Sequence, residues 1–177
     1  LVDDKKSGPY LEYDEQGYKK LETTYTNDEI NGLVTLFYEK NKEMAKVPYL
    51  NGTISGEAIV YDTDGNKIYT MKFTDNKING TVTSYYPDGK IKSEKNYKNG
   101  VWTGRDYKEY DENGKLVIEI YDDGYGANYN KDNGTGSLVK MPDYEKTALL
   151  KRIDHRAEEK KLVETITRLK PQKRRYF

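Results

Sequence analysis

Hydrophobic and polar residues alternate along short stretches of the chain, and each stretch ends at an aromatic residue. Read backward in steps of two, the apolar positions form a stripe: Tyr25/Thr23/Leu21, Tyr49/Val47/Ala45 and Phe73/Met71/Tyr69. The intervening residues, such as Glu22 and Thr24, are mostly polar. A period of two predicts a β-strand with one buried face. The next two stretches, Tyr97/Lys95/Ser93 and Tyr121/Glu119/Val117, keep only the ends of the stripe.

This pattern recurs with a step of 24 residues, set by five glycines: Gly8, Gly32, Gly56, Gly80 and Gly104. A short β-branched and aromatic segment follows each glycine, and a turn signal such as Asp62-Thr-Asp-Gly65 or Pro87-Asp-Gly89 comes next. Asp or Pro entering and Gly or Asn leaving is typical of a hairpin, because the last turn residue needs positive φ. We therefore predict a mainly β repeat fold of five hairpin units over 8–126, in which the glycines serve turns and neighbouring units stack.

Links rich in Asn-Gly join the units, and each carries one apolar residue two positions before the spaced glycine. These residues are Ile30, Ile54, Ile78 and Trp102. We expect each of them to tuck under the next hairpin.

The repeat fades after Tyr121. The Gly- and Asn-rich segment 127–141 predicts a linker, and 142–177 predicts a basic helical tail. Two apolar faces mark the helix, and their members are Leu149, Leu150, Ile153 and Ala157 on one and Leu162, Val163, Ile166 and Leu169 on the other. The pattern fits either one helix with a polar break at 158–161 or two short helices.

Composition narrows the possible classes of protein. Hydrophobic residues make up 34% of the chain and tyrosines number 18, which favours a thin layer packed around Tyr over a deep aliphatic core. The absence of cysteine excludes disulfides, zinc–thiolate sites and thiol nucleophiles. No apolar run reaches membrane-spanning length. The Lys-, Asn- and Tyr-rich composition suggests a bacterial source, and a start at Leu1 favours an exported or envelope protein over a cytoplasmic one.

Charge is balanced overall, with 30 basic and 30 acidic residues, so we expect no nucleic-acid partner. The residues 137–177, however, carry 12 Lys and Arg against six Asp and Glu. Four of these cations cluster at the end of the tail, namely Lys170, Lys173, Arg174 and Arg175. The cluster is a candidate site for an acidic partner or anionic lipid, while the alternative is a solvated helix that caps the sheet.

The residues with catalytic or metal-binding potential do not converge. His155 is the sole histidine and has only Asp154 beside it, so we interpret it as a solvated helix residue. Asp62-Thr-Asp64 resembles the start of a calcium loop but lacks the later glutamate and coincides with a hairpin turn. We expect no enzyme activity, no cofactor and no metal site.

A second aromatic series keeps the same step and is named here the aromatic ladder: Tyr13, Phe37, Tyr61 and Tyr85. Stacked hairpins would place these rings in a row. They either fill the buried face of the sheet or, if they lie opposite the other aromatic series, form an exposed stripe for a partner.

The recurring units resemble the MORN repeat. The clearest matches are Tyr85-Tyr-Pro-Asp-Gly-Lys90, Asn96-Tyr-Lys-Asn-Gly100 and Tyr110-Asp-Glu-Asn-Gly-Lys115. Within that superfamily the chain is similar to the bacterial variant known as the YwqK-type antitoxin component. The resemblance implies one elongated, twisted sheet of antiparallel hairpins that acts as a protein-binding scaffold, with membrane-associated scaffolding and antitoxin-like binding as alternatives.

Overall fold

A computed structural model describes residues 4–154 and 156–168. The strands are β1 (Gly8–Tyr13), β2 (Lys19–Thr26), β3 (Glu29–Ile30), β4 (Gly32–Phe37), β5 (Glu43–Leu50), β6 (Thr53–Ile54), β7 (Gly56–Tyr61), β8 (Lys67–Thr74), β9 (Lys77–Tyr85), β10 (Ile91–Tyr97), β11 (Tyr107–Tyr110), β12 (Leu116–Asp122), β13 (Ala127–Asp132) and β14 (Leu138–Lys140). The helices are α1 (Asp143–Ile153) and α2 (Arg156–Arg168). All described strands belong to one open, twisted sheet in which successive hairpins pair antiparallel, as predicted.

The first four spaced glycines each lie directly opposite the aromatic residue that ends the same hairpin. The pairs are Gly8 with Tyr25, Gly32 with Tyr49, Gly56 with Phe73 and Gly80 with Tyr97. The φ angles of these glycines lie between +115° and +119°, where an L side chain is strained. Gly8, Gly32 and Gly56 therefore begin strands and Gly80 lies within β9, so the expectation that these glycines serve turns is wrong for them.

The hairpin tips of the described chain share one backbone hydrogen bond. The N–H of the residue that enters the tip donates to the carbonyl four residues later, at 2.7 to 3.0 Å: Asp14 to Tyr18, Tyr38 to Lys42, Asp62 to Asn66, Tyr86 to Lys90, Asp111 to Lys115 and Asn133 to Ser137. The last of these tips joins β13 to β14. Where composition predicted a linker over 127–141, the structure thus has a sixth, shortened hairpin, because the edge of β12 supplies backbone partners to β13.

The tips alternate in how they are stabilised. In units one, three and five the entering residue is an aspartate whose carboxylate accepts N–H bonds within its own tip. In units two and four it is a tyrosine, whose hydroxyl donates to a carbonyl of the next unit: Tyr38 to Tyr61 at 2.9 Å and Tyr86 to Tyr110 at 2.8 Å. A lysine four residues later makes a second crossing bond, from Lys42 to Thr63 and from Lys90 to Glu112. Over units one to five the tips therefore repeat every two units, whereas the sixth tip has Asn133, whose side chain accepts the Thr135 N–H within its own tip.

The links between units lie at the ends of the hairpins opposite the tips, and hydrogen bonds join each link to the next. Ile30, Ile54, Ile78 and Trp102 are buried, which confirms that they tuck inward. The carbonyls of the three isoleucines accept N–H bonds from Gly52, Asn76 and Gly100 of the following link. Lys6 holds the same position before the first unit, with its ammonium 4.2 Å and 3.9 Å from the ring centroids of Tyr10 and Tyr25. A lysine stem and cation–π contacts thus replace the isoleucine where the repeat begins.

The core occupies one face of the sheet. In the first three units this face is apolar, and Leu36, Ala45 and Met71 are fully buried there. In the later units it carries charged residues, and the helices bring the opposite charges at 2.7 to 3.0 Å: Lys95 with Glu159, Glu109 with Arg152 and Lys131 with Glu145. The interruption of the apolar stripe at Lys95 in unit four therefore marks where α2 docks. In unit five the predicted stripe is wrong by one residue: Ile118 and Ile120 face the core in place of Glu119 and Tyr121, because that unit has one extra residue.

The described part of the tail contains two helices, which is one of the two alternatives that the sequence allowed. The break is at Asp154, where ψ is 81°, and 158–161 lies inside α2. Leu149 and Ile153 of α1 and Ile166 of α2 are buried in the same cluster as the sheet core. The break lets both helices turn an apolar face to the sheet, which a continuous helix with these positions would not.

Candidate partner-binding surface

The aromatic ladder lies on the face of the sheet opposite the core, called the outer face here. In β7, Ala58 and Val60 point to the core, whereas Ile59 and Tyr61 point outward. Tyr13 is 52% exposed, and Phe37, Tyr61 and Tyr85 are half-buried. The other aromatic series is buried on the core face at 3 to 7% exposure in its first four members, Tyr25, Tyr49, Phe73 and Tyr97. Its fifth member, Tyr121, is 43% exposed, because Ile120 takes the core position in unit five. Over the first four units the two series therefore lie on opposite faces.

Ladder residues lie at the end of the first strand of their hairpin, at or beside a break in the strand register. Such an irregularity falls between Glu12 and Tyr13, between Leu36 and Phe37 and between Val60 and Tyr61. A β-bulge leaves a residue without a direct partner and redirects its side chain. The recurring irregularity therefore gives each ring a similar setting beside its tip.

Tyr110 is a fifth member of this row that the 24-residue count missed. It precedes the tip residue Asp111, just as Tyr61 precedes Asp62, but unit five has one extra residue before the tip. Its hydroxyl donates to Glu94 at 2.8 Å, and burial together with that carboxylate raises the pKa of Tyr110 to about 12. Counting from the tips would have found it.

Each of three ladder rings has a lysine ammonium nearby on the outer face. The distances to the ring centroid are 5.7 Å for Lys19 and Phe37, 5.8 Å for Lys46 and Tyr61, and 4.0 Å for Lys67 and Tyr85. Lys19 and Lys46 also pair with Glu22 and Glu43 through exposed side chains. The ladder is thus a row of aromatic rings flanked by cations, within reach of solvent.

The surface along the aromatic ladder is uneven. Tyr85 is anchored by a 3.1 Å hydrogen bond between its hydroxyl and that of Thr70, a buried residue of the outer face. Tyr61 borders a recess of about 410 Å³, lined also by Lys42, Asp62 and Gly65. Ring packing and an accessible surface therefore coexist along this row.

A second concave feature lies between α2 and the links of units three to five. This cleft of about 560 Å³ is lined by the following residues: Asn76, Lys77, Ile78, Tyr97, Gly100, Val101, Trp102, Glu159, Lys160, Val163 and Glu164. At its base the Glu159 carboxylate accepts hydrogen bonds from the Lys95 ammonium, at 2.7 Å, and from the Tyr97 hydroxyl. The Lys95 ammonium also lies 4.8 Å from the Trp102 ring.

Sequence reasoning did not find this buried network because Glu159 is 62 residues from Tyr97 and 64 from Lys95. The available signal was Lys95 itself, a charged residue at a stripe position that is otherwise apolar. Burial raises the pKa of the Glu159 carboxyl, and the Lys95 ammonium opposes that effect. Since all three side chains satisfy one another, the arrangement fastens α2 to the sheet.

Two stretches, 78–99 and 106–121, coincide with units four and five of the array. They match the MORN repeat variant family. A search of curated proteins finds no significant match to the chain. MORN repeats are generally binding modules, and the structure shows the hairpins of the matched units continuing before and after them.

The remaining candidates from the sequence have separate outcomes. Lys170, Lys173, Arg174 and Arg175 lie outside the described residues, as does His155. The Asp62 carboxylate accepts hydrogen bonds from the side-chain amide and the backbone N–H of Asn66, and from the N–H of Asp64, all within its own tip, and these bonds lower its pKa. Within 4–154 and 156–168, no group of three or more His, Asp or Glu is placed to hold a metal ion. No described helix is long and apolar enough to cross a membrane.

Proposed function

We propose that this chain is a non-enzymatic interaction module whose MORN-type hairpin array holds a protein partner on its outer face, through the aromatic ladder. The observation that carries the proposal is the separation of the two aromatic series. The series that includes Tyr25 and Tyr49 is buried on the core face. The ladder rings lie on the other face, where no described helix or strand covers them completely.

The physical chemistry of the ladder suits a protein surface. Tyrosine offers a large apolar area and a hydroxyl, and it is enriched at protein interfaces. The tips that carry the rings are tied to one another by the crossing bonds of Tyr38 and Tyr86. A prearranged row reduces the ordering cost of binding.

Deleting the helical tail would disturb the fold as well as any contact that the tail makes. A truncation near Gly136 would remove β14 and both helices, and would uncover the buried Lys95 and Trp102. Loss of binding would then report unfolding as readily as a contact made by the tail. Point variants of half-buried outer-face residues, each checked for folding by circular dichroism, test the proposal without that ambiguity.

The test is affinity capture from the native cell with three proteins: the wild type, Phe37→Ala/Tyr61→Ala, and the matched control Tyr125→Ala. Tyr125 is 99% exposed and lies in the link between β12 and β13, away from the ladder. We expect a polypeptide that the wild type and the control retain and the ladder variant loses. If no captured polypeptide depends on the ladder, the proposal fails.

A separate experiment tests the alternative that the chain binds anionic lipid. Flotation with vesicles of phosphatidylcholine and phosphatidylserine, at low and high salt, measures binding to an anionic surface. Salt-sensitive flotation by the wild type and the ladder variant alike, without ladder-dependent capture, would favour a membrane-associated scaffold. Relief of toxicity on co-expression with a captured protein would give the partner an antitoxin relationship.

A further inference from the structure

The spacing and chemistry of the aromatic ladder also indicate what kind of segment occupies it. Equivalent residues of successive units are two strands apart, because each unit contributes a two-stranded hairpin to the sheet. Neighbouring strands lie about 4.7–4.9 Å apart, so the rings repeat at about 9.5 Å. A ligand that contacts several rings in the same way must present equivalent groups at that interval.

This interval distinguishes the regular conformations of a peptide. An extended β-strand shows the same face every two residues, at about 6.6 Å, and an α-helix completes a turn in about 5.4 Å. A polyproline II helix has three residues per turn with a rise of about 3.1 Å, which gives about 9.3 Å. Among these, polyproline II alone returns an equivalent side chain once per unit of the array.

The lysines beside the rings specify the charge of the ligand. Lys19, Lys46 and Lys67 place one ammonium next to each of three successive rings. The ion pairs of Lys19 and Lys46 are exposed, with side-chain exposures of 33 to 48%, and pairs of that kind contribute little stability. Exchanging these partners for carboxylates of a ligand is therefore energetically inexpensive.

We infer that the occupant of the aromatic ladder is a proline-rich segment of the partner protein, in polyproline II conformation, with an acidic residue at every third position. Its prolines pack on the rings, in the way that aromatic grooves recognise such segments. Its carboxylates meet the ladder lysines. This inference rests on the proposed function and adds the conformation, period and charge of the bound segment.

The test uses fluorescein-labelled (Pro-Pro-Glu)4 and fluorescence anisotropy. A peptide of the same composition with its four glutamates adjacent is the control for spacing, and (Pro-Pro-Lys)4 is the control for charge. We expect the period-three acidic peptide to bind at least tenfold more tightly than either control. Equal affinity of the two acidic isomers, or no binding of (Pro-Pro-Glu)4, would overturn the inference.

Variants locate the binding and separate this inference from the proposed function. Lys46→Glu/Lys67→Glu should weaken binding of (Pro-Pro-Glu)4 at least tenfold, whereas Lys140→Glu, an exposed lysine on β14, should change it less than twofold. Equal effects of the two would overturn the inference. Circular dichroism checks that each variant is folded. If cell-derived capture depends on the ladder but the peptides show no preference, the proposed function stands and the polyproline II inference fails.

Discussion

Replacing Glu159 by Gln should undock α2 from the sheet. Glu159 and Lys95 have side-chain exposures of 6% and 4%, and their charged atoms are 2.7 Å apart. Glutamine keeps the shape of the side chain but leaves the Lys95 ammonium buried without a counter-charge. Breaking a buried ion pair from one side typically costs about 3–5 kcal/mol. We expect a loss of that size in the free energy that holds α2 in place.

The single tryptophan makes this loss measurable. Trp102 is buried, and its indole N–H donates to the Asp106 carbonyl at 3.0 Å. It also lines the cleft beneath α2. In Glu159→Gln we expect its fluorescence to shift to the red at urea concentrations where the circular dichroism of the sheet is unchanged. In the wild type the two signals should change closer together.

Two comparisons decide whether the reasoning holds. Lys131 and Glu145 form a pair of similar geometry, but their side chains are 35% and 29% exposed. Glu145→Gln should therefore cost less than about 1 kcal/mol. The triple variant Lys95→Met/Tyr97→Phe/Glu159→Leu removes both charges and the hydroxyl that donates to Glu159, and it should recover most of the stability that Glu159→Gln loses. The reasoning is refuted if Glu159→Gln is as mild as Glu145→Gln.

Three further predictions concern the sheet. Gly56→Ala and Gly32→Ala should each lower the free energy of unfolding in urea by about 1–3 kcal/mol, because φ is +118° and +119° there. The loss should be larger at Gly56, where a Cβ would lie 3.0 Å from a proline side chain; equal losses would contradict that contact. Tyr86→Phe removes the hydrogen bond from the Tyr86 hydroxyl to the next unit and should lower the free energy of unfolding in urea by about 0.5–1.5 kcal/mol. An unchanged free energy of unfolding would show that water replaces this bond.

The third of these concerns pH. Burial raises the pKa of Tyr49 to about 12, so the folded protein holds this proton more tightly than the unfolded chain does. The contribution of Tyr49 to stability is complete below its ordinary value of 10.0 and is lost as pH rises toward about 12. Between pH 9 and pH 11 this loss is about 1–1.5 kcal/mol, since only half of the two-unit shift falls in that window. Unfolding in urea at pH 9 and pH 11 should show a smaller drop for Tyr49→Phe than for the wild type, and equal drops would contradict the assignment.

The repeat was predictable because local signals agreed with one another. Turn chemistry, alternation and a fixed step all indicated hairpins, and the link residues from Ile30 to Trp102 were correctly assigned to the interior. The sixth hairpin was missed because the Gly- and Asn-rich composition around it is that of a loop. Its strands form because β12 offers an unpaired edge, and a propensity scale does not contain that information.

The site was predictable only in part. The step in sequence placed Tyr13, Phe37, Tyr61 and Tyr85 in one row, but the sequence left their face open, since either series could have been the core. The network of Lys95, Tyr97 and Glu159 could not be predicted, because it joins residues from two segments that no local pattern relates. A charged residue inside an otherwise apolar stripe was the visible sign that something must pack there.

The alternation of aspartate and tyrosine over the first five hairpin tips decides which neighbouring hairpins are tied together. The hydroxyls of Tyr38 and Tyr86 donate to main-chain carbonyls of the following unit, so they join unit two to unit three and unit four to unit five. Removing the 24 residues of a unit with a tyrosine tip would delete such a bond and place two aspartate tips side by side. Removing 48 residues, the distance from Tyr38 to Tyr86, would keep one tyrosine tip for every two hairpins.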